Sequence, residues 1–343
     1  MRSVFSYECQ TGMFDVGIMS LSRFRHQLGM TMVEIMVALA IGSFLIIGAV
    51  QIYNQSRFAF VVNESIVRVQ ETAQFAMDTV ESDLRMASNW GRSSRGIAIE
   101  GRTVADDVNP LDLAVPLNCG EDYVLDLGTP VDGFNNDYAL TCPARGGEQP
   151  DSDVVIIRRA SVNPAPLPLS EGRLYIQSTR VGGMLFDDGI VPDFFSDIDS
   201  ATHNLVVTSY YVAADSDLIP GTPTLRRKTL VMRGANMTIE DEEVAPGVEN
   251  LQLQFGIDLD GDDAVDQYVN PNSEIYNPEA PGYIWGAKVL AVRVWMVIRG
   301  LTPEVGIEDN FNYAPADVVL GVPTDQYRRV LVSKTVLLRN ARG

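Results

Sequence analysis

Residues 30–50 read Met30-Thr-Met-Val-Glu-Ile-Met-Val-Ala-Leu-Ala-Ile-Gly-Ser-Phe-Leu-Ile-Ile-Gly-Ala-Val50, with Glu34 as the single charge. About 20 apolar residues in a helix span a bilayer core of roughly 30 Å, so this stretch can cross a membrane. Arg23, Arg25 and His26 precede it, and the chain beyond it turns strongly acidic. The positive-inside bias predicts a cytoplasmic N-terminus with the bulk of the chain outside. An ordinary secretory signal has a shorter apolar core of about 7–15 residues and a small-residue cleavage site after it. No such site follows here, and the helical pattern continues. Val62, Ile66, Val69, Ala73, Ala76, Val80, Leu84 and Ala87 recur every three or four residues as one apolar stripe. The facing side carries Asn63, Glu64, Arg68, Glu71, Asp78, Glu81 and Arg85. No proline occurs before Pro110, and Asn89-Trp90-Gly91 supplies a stop with Gly91 at C′. One helix from Met30 to about Ala87 would be roughly 85 Å long. Its first half is apolar all round. Its second half is amphipathic, which predicts packing onto the helix's own domain.

The composition narrows the function classes. Lys+Arg total 26 against Asp+Glu 45 in 343 residues, a net charge of −19. Such a field repels phosphate backbones, so nucleic-acid binding by bulk charge is excluded. The only histidines are His26 and His203, and the only cysteines Cys9, Cys119 and Cys142. A His-rich metal centre, a four-cysteine zinc site and most His-based dyads lack their parts. Walker A, GxSxG, CxxC and HExxH patterns are absent. A non-enzymatic protein is expected, with His203 in a structural role.

Beyond Gly91 the apolar period changes to two. Residues 153–158, 173–177, 204–212, 225–233, 248–257, 287–299 and 328–338 read as strands. The clearest alternations are Leu251, Leu253, Phe255, Ile257 and Leu290, Val292, Val294, Met296, Ile298. Gly- and Pro-rich loops at 109–150, 163–169 and 270–282 separate them. The predicted fold class is α+β: one antiparallel sheet folded against the helix stripe as a roll.

The junction before the helix is specific. Gly29 precedes Met30-Thr31-Met32-Val33-Glu34, with basic residues upstream and an apolar helix downstream. This resembles the class III signal of type IV prepilins and pseudopilins. The resemblance implies a pilin-like roll and cleavage by a prepilin peptidase after Gly29. It further implies N-methylation of Met30 as the first mature residue, and Glu34 as the glutamate that aligns subunits during assembly. Met stands where the family usually has Phe. The 29-residue leader is long, and Met19 opens a leader of ordinary length, so the true start is expected there. A carboxylate in hydrocarbon costs about 2.5–3.5 kcal/mol on insertion scales, which makes Glu34 a functional candidate. The Met30 amine released by cleavage, on the same chain or a neighbour, is its best partner; the alternative is a glutamate that snorkels to the headgroups. The organisation is then a leader at 1–29, a membrane or filament-core half-helix at 30–52, an amphipathic half at 53–90, and a β-rich periplasmic or extracellular domain at 91–343.

The C-terminal half sharpens the resemblance. Gly247-Val-Glu-Asn-Leu-Gln-Leu-Gln-Phe-Gly-Ile-Asp258, followed by Leu-Asp-Gly-Asp-Asp263, is similar to PilW-type minor pilins. The strand at 289–299 and the closing Val336-Leu-Leu-Arg-Asn340 are similar to them too. This implies a minor pilin that primes and assembles a type IV pilus near the fibre tip. Its implied partners are other minor pilins, the major pilin, the prepilin peptidase, the inner-membrane assembly platform and a tip adhesin. The implied location is the inner membrane as a single-pass protein, then the fibre. The J-type pseudopilins of type II secretion, and a surface adhesin pilin, are the alternatives.

Two smaller expectations concern the exported part. With Cys9 in the leader, Cys119 and Cys142 remain, and an oxidising compartment favours a bridge, stabilising by about 3 kcal/mol; two unrelated buried thiols are the alternative. No cofactor is required, but Asp258, Asp260, Asp262 and Asp266, with the Ala264 carbonyl, set hard oxygens at spacings that suit Ca²⁺. The EF-hand pattern is not met, since Gly261 stands fourth and Val269 replaces the bidentate Glu. An acidic hairpin whose Asp and Gly serve turn chemistry is the equal alternative.

Overall fold

The computed structural model describes residues 29–104, 111–193, 199–304 and 306–342. Cys9, Met19, Arg23, Arg25 and His26 lie outside them. The chain divides into two compact units, Met1–Phe60 and Val61–Gly343. Helix α1 (Met32–Leu84) runs through 53 residues. In the first unit the apolar window of α1 is long and apolar enough to cross a membrane, and none of it is buried.

In the second unit α1 lays down the predicted stripe: Val69, Ala73, Ala76, Val80 and Leu84 are buried, joined by Met77. The stop differs from expectation. The helix ends at Leu84, its last turn tightens as Met86 and Ala87 donate to Asp83 and Leu84 carbonyls, and the left-handed residue is Ser88 (φ 61°). Gly91 (φ 84°) serves packing instead, because a Cβ there would approach the His203 ring to 2.7 Å. Glu81 is the second correction: it is buried and paired with Lys334, where the polar-face reading leaves it in water.

The strands are β1 (Ile99–Glu100), β2 (Val131–Phe134), β3 (Val154–Ala160), β4 (Tyr175–Ser178), β5 (Gly183–Phe186), β6 (Ala201–Ala213), β7 (Thr224–Arg233), β8 (Asn236–Pro246), β9 (Val248–Asp258), β10 (Gln267–Val269), β11 (Lys288–Arg299) and β12 (Arg329–Leu337), with a short helix α2 (Glu121–Leu125) before β2. All seven strands expected from the alternation are present. The single antiparallel sheet is corrected. Two sheets form: β1-β5-β4-β6-β3-β2 with β7 and β8 attached through β6, and β10-β9-β11-β12. One pair, β1 with β5, is parallel. The chain changes sheet at Gly247 (φ 93°), whose N–H donates to the Pro223 carbonyl at 2.7 Å while its own carbonyl accepts from Arg299 at 2.8 Å. A glycine takes this left-handed corner without strain.

Alternation on the strands builds two cores. The helix stripe meets Leu251, Leu253 and Phe255 of β9, Val292, Val294 and Met296 of β11, and Val155, Ile157 and Tyr210 of the larger sheet. The opposite side of that sheet, Val154, Ile156, Leu205 and Val207, meets Trp90, Leu125 and Leu127. Being buried on both faces is why β3 reads as a continuous apolar run. On β11 a register shift between Val289 and Ala291 breaks the expected alternation, so Val289, not Leu290, joins the helix-facing core. The architecture is α+β, a long N-terminal helix packed by its second half on β-sheets.

Candidate functional site

Gly29 and Met30 are exposed, and a Cβ on Gly29 would meet nothing within 4 Å. Thr31 caps α1. Its N–H and hydroxyl donate to the Glu34 carboxylate at 2.8 and 2.9 Å, and the Glu34 N–H returns to the Thr31 hydroxyl at 3.3 Å. This reciprocal capping box satisfies two orphan donors and holds the glutamate over the first turn. Its signal, Thr-x-x-Glu, stands in the sequence at Thr31–Glu34.

Cys119 and Cys142 form the expected disulfide, 23 residues apart with Cα atoms 4.3 Å apart. The loop it closes covers a buried charge network that sequence reasoning did not find. Arg226 is fully buried and donates to Asp241 at 2.8 Å and to Asp217 at 2.9 Å. Lys228 donates to Asp241 at 2.6 Å and to the carbonyl of Pro143, the residue after Cys142, at 3.0 Å. Tyr211 donates to the same Asp241 at 2.8 Å. Burial comes first, followed by this bond to a carboxylate, in pushing the Tyr211 phenol far above its ordinary range. The network follows from register. Arg226, Arg227 and Lys228 of β7 face Glu243, Glu242 and Asp241 of β8. The acidic run at 240–243 reads as loop in isolation; opposite a basic run it is a strand.

The acidic turn after β9 brings carboxylate oxygens of Asp258, Asp260 and Asp262 within 4.8 Å of one another. Asp266 stands apart, accepting from the Leu259 N–H at 2.7 Å, and Ala264 donates its N–H to Asp262 at 2.8 Å. Asp258 is buried, and its two oxygens accept from Gly261 and Asp263 N–H groups at 2.7 and 3.1 Å. Lys288 lies 2.8 Å from Asp263 and 3.7 Å from Asp258. The turn thus has Asx bonding and a counter-charge of its own. His203 is structural, with Nδ1 2.8 Å from the Ser161 carbonyl.

A third polar centre sits where the two sheets meet. Ser152 and Asp153 run along β9 as a substitute strand: the Asp153 N–H donates to Leu251 at 2.9 Å, and its carboxylate accepts from Leu253 at 2.7 Å and Asn136 at 2.8 Å. Burial pushes the Asp153 carboxyl up to about 7 against these bonds. No sequence signal marks Asp153, because its role depends on a strand about a hundred residues away.

Residues 24–50 match the prokaryotic N-terminal methylation motif. Residues 209–340 match the family described as type IV pilus-assembly protein W. No curated protein sequence matches the chain significantly. Among solved structures, a type IV-like pilin from Thermus thermophilus is similar at 19% identity over 50% of this chain and 86% of that one, with a TM-score of 0.24. The first match spans the Gly29–Glu34 junction and the second runs from within β6 through β12, so the chain is similar to type IV prepilins at its N-terminal junction and to type IV pilus-assembly protein W in its C-terminal region.

Proposed function

We propose that this protein is a minor pilin that takes part in priming and assembling a type IV pilus near the fibre tip. The observation that carries the reading is the junction: a glycine, a capped helix start with Glu34 in its first turn, and an apolar exposed half-helix continuous with a half that packs on a PilW-type domain. A prepilin peptidase cuts after Gly29 and methylates Met30. The subunit waits in the inner membrane, N-terminus cytoplasmic and sheets periplasmic, until the assembly platform extracts it. In the membrane the released amine of Met30 and the Glu34 carboxylate are complementary charges one helical turn apart, or across neighbouring subunits. Other minor pilins, the major pilin and a tip adhesin are the partners. The role is structural.

The test is fractionation of sheared fibres from cells carrying wild-type or Glu34→Ala protein. Wild type is expected in the fibre fraction, and Glu34→Ala only in membranes. A deletion strain with intact surface pili but lost exoprotein secretion would instead make the protein a J-type pseudopilin.

A further inference from the structure

The β9–β10 turn and the segment that enters β11 leave the smaller sheet at the same end, because β9 closes at Asp258 opposite Lys288, the first residue of β11. The entering segment finishes in a tight turn. The Ala287 N–H donates to the Ile284 carbonyl at 2.9 Å, and Gly286 between them takes φ 88°. With the positive φ at the third of four residues this is a type II turn, and Trp285 holds its second corner. A Cβ on Gly286 would meet nothing within 4 Å, so the glycine serves the backbone alone. The turn is braced on both sides. The Ile284 N–H donates to the Ile275 carbonyl at 3.1 Å, the Gly286 N–H to the Tyr283 hydroxyl at 3.2 Å, and Ala287 is buried in the core.

This frame leaves Trp285 92% exposed, more than any other large apolar residue described. Pro281 and Ile284 extend the apolar surface beside it. A braced turn that holds an indole in water buries almost none of the ring's area, so the display does not serve the fold. A tryptophan held this way is the kind of side chain that anchors protein interfaces. The surroundings select the partner. Asp260, Asp262, Asp263 and Asp266 are all exposed on the adjoining turn. Against these carboxylates stand Lys288, 2.8 Å from Asp263, and Arg342, whose charge also reaches Asp263. The balance is negative. A second copy of this chain, with a net charge of −19, and an anionic headgroup are both repelled. An arginine answers both features at once: its planar guanidinium stacks on an indole face while its N–H groups reach a carboxylate.

We propose that Trp285 and the acidic turn beside it form a docking site for a basic, arginine-bearing segment of a partner protein. Trp285 is the anchor, and the carboxylates set the orientation and the rate of encounter.

The experiment is calorimetric titration of an acetylated hexa-arginine amide into the detergent-solubilised full chain at low salt, about 50 mM NaCl. Three variants accompany it, each checked for an unchanged far-UV spectrum: Trp285→Ala, the double Asp260→Asn/Asp262→Asn, and the double Glu171→Gln/Glu308→Gln, which removes two exposed carboxylates elsewhere. Affinity is expected to fall about five-fold or more in each of the first two and to stay within about two-fold of wild type in the third. Equal weakening in the third variant means attraction by bulk charge and overturns the proposal. So does wild-type affinity in either of the first two, or no binding to wild type at about 1 mM peptide. Loss of the Trp285 emission, read as wild type minus Trp285→Phe, when the chain is reconstituted with brominated lipid would make the turn a membrane contact and overturn it too.

Discussion

Asp83, in the last turn of α1, accepts a 2.7 Å hydrogen bond from the Tyr210 hydroxyl of β6 and a 2.9 Å bond from Arg159 of β3. With Glu81 reaching Lys334 of β12, two carboxylates from one helical turn hold both sheets to the helix. Burial pushes the Tyr210 phenol far above its ordinary range, and the Asp83 charge adds to this.

Tyr210→Phe should therefore lower stability by about 1–2 kcal/mol, the cost of a lost bond to a charged group. Asp83→Ala should do more, since it leaves Arg159 without its carboxylate and the buried Tyr210 hydroxyl without its acceptor. Urea denaturation of the solubilised full chain followed by tryptophan fluorescence checks both. Equal stability in Tyr210→Phe and wild type would mean the helix is held by its apolar stripe alone.

Asp241→Ala should be among the most damaging substitutions in the larger sheet, at roughly 3–5 kcal/mol. It strands the fully buried Arg226 and the nearly buried Lys228 without their shared carboxylate. Adding Lys228→Met to Asp241→Ala should recover part of the loss, because Lys228 pairs with no other carboxylate among the described residues. Chemical denaturation of the pair reads the coupling.

How much of this was legible beforehand depends on where each partner lies. The helix stripe at Val69, Ala73, Ala76, Val80 and Leu84 and the alternation on β9 are local periodicities, and the chain folds as they read. The Gly29–Glu34 junction is a local motif, and the methylation-motif match covers it. Strand β8 was not legible, because Glu240 to Glu243 take strand form only opposite the basic run of β7. Asp153 was not legible for the same reason, its partners Asn136 and Leu253 being remote. The β11 bulge escaped because an unbroken alternation through Leu290 and Val292 fits the residue types equally well.

Reduction of the Cys119–Cys142 bridge, or the double change Cys119→Ala/Cys142→Ala, should lower stability by about 3 kcal/mol through loop-closure entropy. Non-reducing peptide mapping of exported protein should recover the linked pair. Two alkylatable thiols in the native exported protein would contradict the bridge.

Asp153 gives the chain a pH dependence of definite sign. Its folded value of about 7 lies above the ordinary 3.8, so the folded state holds the proton more tightly than the unfolded one. Its contribution to stability is fully present below about pH 4 and is lost as pH rises towards 7, by an amount on the order of a few kcal/mol. Denaturation series from pH 4 to 8 in EDTA, which keeps cations away, should show a downward slope that is reduced in Asp153→Leu. An identical slope in that variant would assign the dependence to other groups.

The N-terminus of the mature protein tests the central claim most directly. Intact and peptide mass spectrometry of protein extracted from membranes or fibres should find a chain beginning at N-methylated Met30, with full-length precursor accumulating when Gly29 is replaced by a bulky residue. A mature chain beginning beyond residue 45 would show that an ordinary signal peptide is removed with the apolar segment, and would contradict the pilin account.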